Sequence, residues 1–230
     1  MKKYIFILLI VLIFGFKSYS QTVGAPNFIH KSHETLEVMR ISRNVEGLTM
    51  QMLIRNKRHE GGSFCIDKNT EIIALGQSYK ITNIEGIPEC PEVHNFEFYG
   101  DNLIFYLHFP AIPEGVKIID VKENCEDNCF YIKGLVVDPD LNNAMHVAFD
   151  YYETGMLIEG LSSYKDLLSE YEGKEPAIEG LFYFYIINIL KEIGNEAEAS
   201  NFLELFRSKN LEGSQWVEDK LEAGNTGLGL

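Results

Sequence analysis

Residues 130–141, FYIKGLVVDPDL, hold the turning point of this chain. Phe130 and Ile132 alternate with Tyr131 and Lys133, the period of two that one buried strand face imposes. At Asp138-Pro139-Asp140 that pattern ends. An aspartate caps a helix because its carboxylate accepts free N–H groups of the first turn. Proline suits the first helical position because the N–H it lacks would have no partner there. A strand-rich part, 34–138, is therefore expected to hand over here to a helical part, 139–223.

Upstream, Leu48, Met50, Met52 and Ile54 alternate with Thr49, Gln51, Leu53 and Arg55. Leu103, Phe105, Leu107 and Phe109 repeat the pattern against Ile104, Tyr106 and His108. Shorter strand candidates are 36–43, 63–67, 71–75, 78–83 and 117–122. The stretches between them carry turn chemistry: Asn44 to Gly47, Asp67-Lys68-Asn69, Gly76-Gln77 and Pro113-Glu114-Gly115. Short strands at this density over about 100 residues predict an antiparallel β-sandwich of immunoglobulin-like type.

Downstream the period lengthens. Ala144, Val147, Ala148 and Tyr151 recur at spacings of three and four, so they are expected to form the apolar face of a first helix ending at Gly155. Leu157, Ile158, Leu161, Tyr164, Leu167, Leu168 and Tyr171 form a second stripe, broken by Gly173 to Pro176. A third helix runs through LFYFYIINIL, 181–190, and stops near Gly194-Asn195. A fourth carries Ala197, Phe202, Leu203, Leu205 and Phe206, and Trp216, Val217 and Leu221 fit a short closing helix. The overall fold class is α+β.

Two resemblances extend this reading. Residues 109–124, FPAIPEGVKIIDVKEN, resemble a late strand-turn-strand segment of β-sandwich modules in Gram-negative envelope proteins. The chain has one tryptophan, Trp216, in the other half, so the core tryptophan and disulfide of immunoglobulin domains are not carried over. The helical part resembles the tetratricopeptide repeat. Ala148, Tyr151, Gly155, Gly160 and Tyr164 in the first hairpin, and Tyr183, Gly194, Asn195 and Ala199 in the second, fall where that family places such residues. Ile187 and Phe206 depart from it. The spacing of Gly155 and Gly194 exceeds the family period of about 34 residues, which requires an insertion around 172–175. The resemblance implies a tetratricopeptide-like hairpin pair with a concave, partner-binding groove. Two repeats bury too little to stand alone, so the helices are expected to dock on the sandwich.

The N-terminus reads as an export signal. Lys2 and Lys3 precede an apolar run from Tyr4 to Phe16, and Ser18-Tyr19-Ser20 places small residues before a cut at Gln21. The run falls short of the roughly 20 residues that span a bilayer. Residues 1–20 are thus expected to be removed, leaving no integral membrane span. A flexible segment, 21–33, and a disordered tail, 224–230, are expected to flank the two folded parts. The net charge of −14 argues against nucleic acid and anionic surfaces as partners.

Four cysteines in an exported chain point to disulfides. Cys125 and Cys129 flank a short polar loop and are expected to pair locally, which leaves Cys65 with Cys90. The latter bridge is worth about 3 kcal/mol. No zincin or nucleophile motif is present, and no cofactor or metal is expected.

Three places remain as site candidates. Arg55, Lys57, Arg58 and His59 form the one basic cluster, readable as a solvated loop guarding an edge strand or as an anion or partner site. Tyr151 and Tyr183 are candidates for an aromatic groove, although Tyr183-Phe184-Tyr185 makes the third helix apolar all round, the usual mark of a buried helix. Glu123, Glu126, Asp127, Asp138 and Asp140 are candidates for converging acids. The leading expectation is an exported non-enzymatic binding or assembly protein with a protein or peptide partner in the cell envelope. The alternative is a secreted hydrolase whose acids meet only in three dimensions.

Overall fold

A computed structural model describes residues 20–126, 128–211 and 214–222. The expected signal segment, apart from Ser20, and the expected tail lie outside them, as does Asp127. Among the described residues there are twelve strands: β1 (Gln21–Gly24), β2 (His30–Lys31), β3 (Leu36–Arg43), β4 (Gly47–Arg55), β5 (Gly62–Phe64), β6 (Glu71–Ala74), β7 (Gln77–Lys80), β8 (Asn83–Glu85), β9 (His94–Phe96), β10 (Asn102–Pro110), β11 (Ile118–Lys122) and β12 (Tyr131–Val136). Five helices follow: α1 (Pro139–Glu153), α2 (Leu157–Tyr171), α3 (Pro176–Glu192), α4 (Glu196–Lys209) and α5 (Ser214–Glu222).

The strands form two five-stranded antiparallel sheets, ordered β1-β3-β4-β10-β8 and β2-β12-β11-β6-β7, and a β5-β9 ribbon. The inner faces of the two sheets share one core. Its centre is the β4–β10 pair, where Met50 lies opposite Leu107 and Met52 opposite Phe105. These are the residues whose alternation marks the strands in the sequence.

The segment 21–33 is not a loose leader. β1 pairs with β3, setting Val23 against Ile41, and β2 pairs with β12, setting Lys31 against Ile132. Strands of four and two residues show too few alternations to register as a period, which is why the sequence reads as flexible there.

A bulge decides where the helices dock. Ile119 faces Leu135 and Val121 faces Ile132, so Lys133 and Gly134 together oppose Asp120. The Asp120 carboxylate accepts the Gly134 N–H at 2.8 Å and the Lys133 ammonium at 2.6 Å. The extra residue resets the alternation. Ile132, Leu135 and Val137 point into the sandwich, whereas Val136 belongs to the helical core.

Asp138 caps α1, accepting the Leu141 N–H at 2.9 Å. The buried face of α1 is Leu141, Asn142, Met145, Ala148 and Tyr152. The expected face is therefore corrected: Ala144 and Val147 are exposed and Tyr151 is half-buried. Both rows have helical spacing, and the one with Leu141 and Met145 has more apolar area to bury. Ala148 is common to both.

The helices pack in sequence, α1 on α2, α2 on α3 and α3 on α4, while α5 returns to α3. Gly160 lies at the first contact, where a Cβ would be in ordinary van der Waals contact with the Tyr152 backbone nitrogen at 3.4 Å. Every residue from Ile178 to Ile187 is buried. Most of that cover is helical, with Val136 and Ile118 the sandwich residues that join it. Docking runs chiefly through α1, which touches β1 and β12, and at a second place Trp216 of α5 stacks on His30 of β2.

Candidate functional site

The basic cluster lies at one end of the sandwich, where β4 leaves its sheet. Asn56, buried just past that strand, braces two loops against each other. Its side-chain nitrogen donates to the Phe98 carbonyl at 2.7 Å and its Oδ1 accepts the Arg58 N–H at 3.0 Å. Its backbone N–H donates to the Asp101 carbonyl, and its own carbonyl accepts the Gly100 N–H, each at 2.8 Å. The Asp101 carboxylate closes the second loop by accepting the N–H groups of Glu97 at 2.9 Å and Phe98 at 2.8 Å. Gly62 is required beside this brace, because a Cβ there would lie 2.4 Å from Asn56 Oδ1.

The ends of both loops are tied down as well. β5 pairs with β9 just beyond them. Cys65 and Cys90 form a disulfide with Cα atoms 5.3 Å apart, and Cys125 and Cys129 form the other, at 5.5 Å. Both pairings match the sequence expectation. Two disulfides fit an oxidising, exported setting. Among the described residues no helix is long and apolar enough to cross a membrane.

The braced loops hold apolar groups in water. Phe98 is 66% and Tyr99 59% exposed. The His59 ring stacks on Tyr99, with centroids 4.8 Å apart and planes 13° from parallel. Lys57 and Arg58 are exposed beside them. Arg55 pairs with Glu37 at 3.1 Å on the open surface, where such a pair contributes little. Lys57 also adds to the field on Lys31, whose ammonium is held below its usual range, chiefly by burial. From this tip the outer face of the first sheet continues with exposed Ile104, Tyr106 and Met39.

The aromatic half of this surface is not apparent in the sequence. Phe98 and Tyr99 lie between strands, where no period marks them. The one local signal is Asn56 with Asp101, two loop formers whose partners are known only once β4 and β10 pair.

The other candidates separate. Tyr183 is a core residue, fully buried against Phe202 and Phe206. Tyr151 is half-buried on α1 and does not meet it. Glu123 is buried and spends its two oxygens on the N–H groups of Asp67 at 2.8 Å and Phe130 at 3.1 Å. Burial pushes its carboxyl up, and those two bonds pull against that. Asp138 lies beyond the opposite end of β12, engaged by Leu141 and by Lys117 at 3.3 Å. Asp140 and Glu126 are exposed. Each acid whose contacts are resolved thus serves its own neighbourhood. Among the described residues no three His, Cys, Asp or Glu side chains gather as metal ligands.

A cleft of about 450 Å³ opens at the far end of the sandwich, lined by Arg43, Val45, Ile112, Glu114 and Asp138 among others. Its Arg43 donates to the Val116 carbonyl at 2.7 Å and to the Gln21 side chain. Arg43 is thereby committed to holding the chain, as Asp138 is to Leu141 and Lys117.

No family model matches this sequence, and neither a curated protein nor a solved structure matches it.

Proposed function

We propose that this chain is an exported, non-enzymatic binding or assembly protein of the cell envelope, and that it meets its protein partner at the braced loop tip. One observation carries the reading: Phe98 and Tyr99 stand in water on loops locked by Asn56 and Asp101, beside the exposed cations Lys57 and Arg58. Exposing two large aromatic side chains gains nothing for folding. Holding them rigid lowers the entropy lost when a partner covers them. Aromatic residues and arginine are also the commonest anchors of protein interfaces.

On this reading the two-layer module is an immunoglobulin-like sandwich that uses one loop end, and the helices are a tetratricopeptide-like pair. Supporting the latter, Gly155 and Gly194 end the first and third helices at φ values of 75° and 79°, and Asn195 caps the fourth.

Photo-crosslinking in the producing cell tests the proposal. A photoreactive residue at position 98 is expected to give a discrete adduct that a Lys57→Glu, Arg58→Glu chain loses. The same probe at Ile158, exposed on α2, serves as the control. Identical adduct patterns at the two positions would refute the tip as the binding surface.

A further inference from the structure

The α1–α2 hairpin has a groove on each of its two sides, and α3 fills one of them. The Tyr185 ring of α3 meets Phe149 and Tyr152 of α1, with centroids 5.9 and 5.6 Å away, and stacks on Tyr164 of α2 at 4.5 Å. Tyr151 marks the seam between α1 and α2, since its Cβ lies 3.6 Å from where a Gly160 side chain would begin. Helical spacing sets Ala144, Val147 and Tyr151 in one row on α1, and Glu159, Asp166 and Glu170 in one row on α2. With the two helices antiparallel and α3 beneath them, both rows face the other groove. Ala144 and Val147 are exposed there, Val147 by 50%, and Tyr151 is half-buried. All three acids are exposed as well. The outer groove thus has one apolar wall and one acidic wall.

The charge belongs to the groove itself. No Lys or Arg occurs between Lys133 and Lys165. Lys165 is turned to α4, where it donates to Glu198 at 2.6 Å. Asp140 heads the apolar row, four residues before Ala144. Neither it nor Glu159, Asp166 or Glu170 makes an ion pair among the described residues. Folding accounts for only some of these acids. The helix dipole favours an acid in a first turn, which suits Asp140 and Glu159. Glu170 lies in the last turn of α2, where the dipole disfavours an acid, and neither α1 nor α2 places a base in its last turn.

We propose that this outer groove docks a basic amphipathic helix of a partner protein, laid on α1 and α2 as α3 is laid on their inner side. Its apolar stripe covers Ala144, Val147 and Tyr151, and Lys or Arg residues along one flank meet Glu159, Asp166 and Glu170. Two observations select that occupant. A groove between two packed helices accepts a third along its length, as α3 does within this chain, and a stack of helices leaves its end face open until a further element caps it. Four carboxylates without an ion pair, with no cation among them, select the charge. The groove is open as it stands, so no part of the fold moves to admit the partner. The site is separate from the loop tip and does not depend on it.

The probe is the labelled amphipathic peptide KLLKKLLKKLLKKL, titrated with the full chain and followed by fluorescence anisotropy. Saturable binding is expected, with a gain of helix in circular dichroism and an affinity that falls as salt is added. The chain is acidic throughout, so the decisive comparison holds charge constant. Val147→Lys and Ile158→Lys each add one cation at an exposed apolar position, the first in the groove and the second on another face of α2. Val147→Lys should weaken binding about tenfold, because it sets an unpaired charge under the apolar stripe. Ile158→Lys should change it by no more than about twofold. Equal losses from the two would mean that overall charge holds the peptide, and the groove would not be its site. Glu159→Lys together with Asp166→Lys spares the apolar row, and undiminished binding to that chain would remove the acidic wall from the proposal. No saturable binding, or equal binding of ELLEELLEELLEEL, overturns the docking site altogether.

Discussion

Asn27 and Asn142 clasp each other across the junction of the two halves. Asn142 Oδ1 accepts both the backbone N–H and the side-chain amide of Asn27, each at 2.8 Å. Asn142 in turn donates to the Gly24 carbonyl at 3.3 Å. Both side chains are buried. Buried amides are costly unless paired, so this clasp favours one relative position of α1 and the N-terminal segment. Asn142→Ala strands the Asn27 backbone N–H and leaves the Asn27 side-chain amide only its longer bond to the Asn142 carbonyl, at 3.3 Å. About 1–3 kcal/mol is lost per orphaned buried group. Urea denaturation should show a loss of about 1–3 kcal/mol, against almost none for Asn143→Ala on the exposed side of the same helix. Equal effects from the two substitutions would show that the clasp contributes nothing.

Gly134 should resist substitution for two separable reasons. Its φ of +62° is strained for any residue with a side chain, and a Cβ there would lie 2.3 Å from Ile29 Cδ1 and 3.2 Å from Ile29 Cβ. Gly134→Ala is expected to cost about 1–3 kcal/mol. Adding Ile29→Ala should recover the steric part and leave the backbone part. A double-mutant cycle with no coupling would show that Ile29 is not the obstacle.

How far the sequence could be read follows from what each element depends on. β4 and β10 are long enough to show their period, and α1 and α4 carry their caps, Asp138 and Asn195, in the local sequence. The disulfides follow from compartment and loop length. What escaped depends on partners distant in sequence. Val136 turns towards the helices, and Leu135 does not, because Gly134 adds a residue to β12, and the two strands show this only once paired. α3 reads as needing the sandwich for cover, yet Val217 of α5 supplies part of that cover by filling a slot at Gly180, which a lone glycine does not announce. The loop tip depends on Asn56 meeting Phe98 across 42 positions.

His30 should make the attachment of α5 sensitive to acid. Burial, with Lys220 adding to it, holds the imidazole below its ordinary value of 6.5. The ring stacks on Trp216, meets the Tyr131 hydroxyl at 3.1 Å and lies opposite Lys133 in the strand pair. Because the folded pKa is depressed, the unfolded chain takes up the proton first. The contribution is complete above about pH 6.5 and is lost as the pH falls through the folded value. His30→Phe keeps a ring for Trp216 and removes the titration. Urea midpoints measured between about pH 7 and 5 should fall more steeply for the wild type than for this variant. Parallel profiles would exclude His30 as the sensitive group.

The two halves should depend on each other unevenly. α1 relies on the sandwich: Asn142 is held by Asn27, His146 meets the Ala25 carbonyl at 2.9 Å, and Val136 of β12 enters the helical core. α3 relies on α2, α4 and α5, all of which follow it or precede it within the helical half. A fragment of residues 139–230 loses every support of the first kind and keeps those of the second, apart from the stack of Trp216 in α5 on His30. It should therefore retain a helical core around Phe182 to Ile187 while α1 frays, and it should unfold at lower urea and less cooperatively than the full chain. Hydrogen exchange followed by mass spectrometry separates the two outcomes. Strong protection in α3 with near-free exchange over Met145 to Phe149 is expected. Equal protection of α1 in fragment and full chain would mean that the sandwich contributes nothing to its order, and that the contacts at the junction are an effect of docking with no part in its cause.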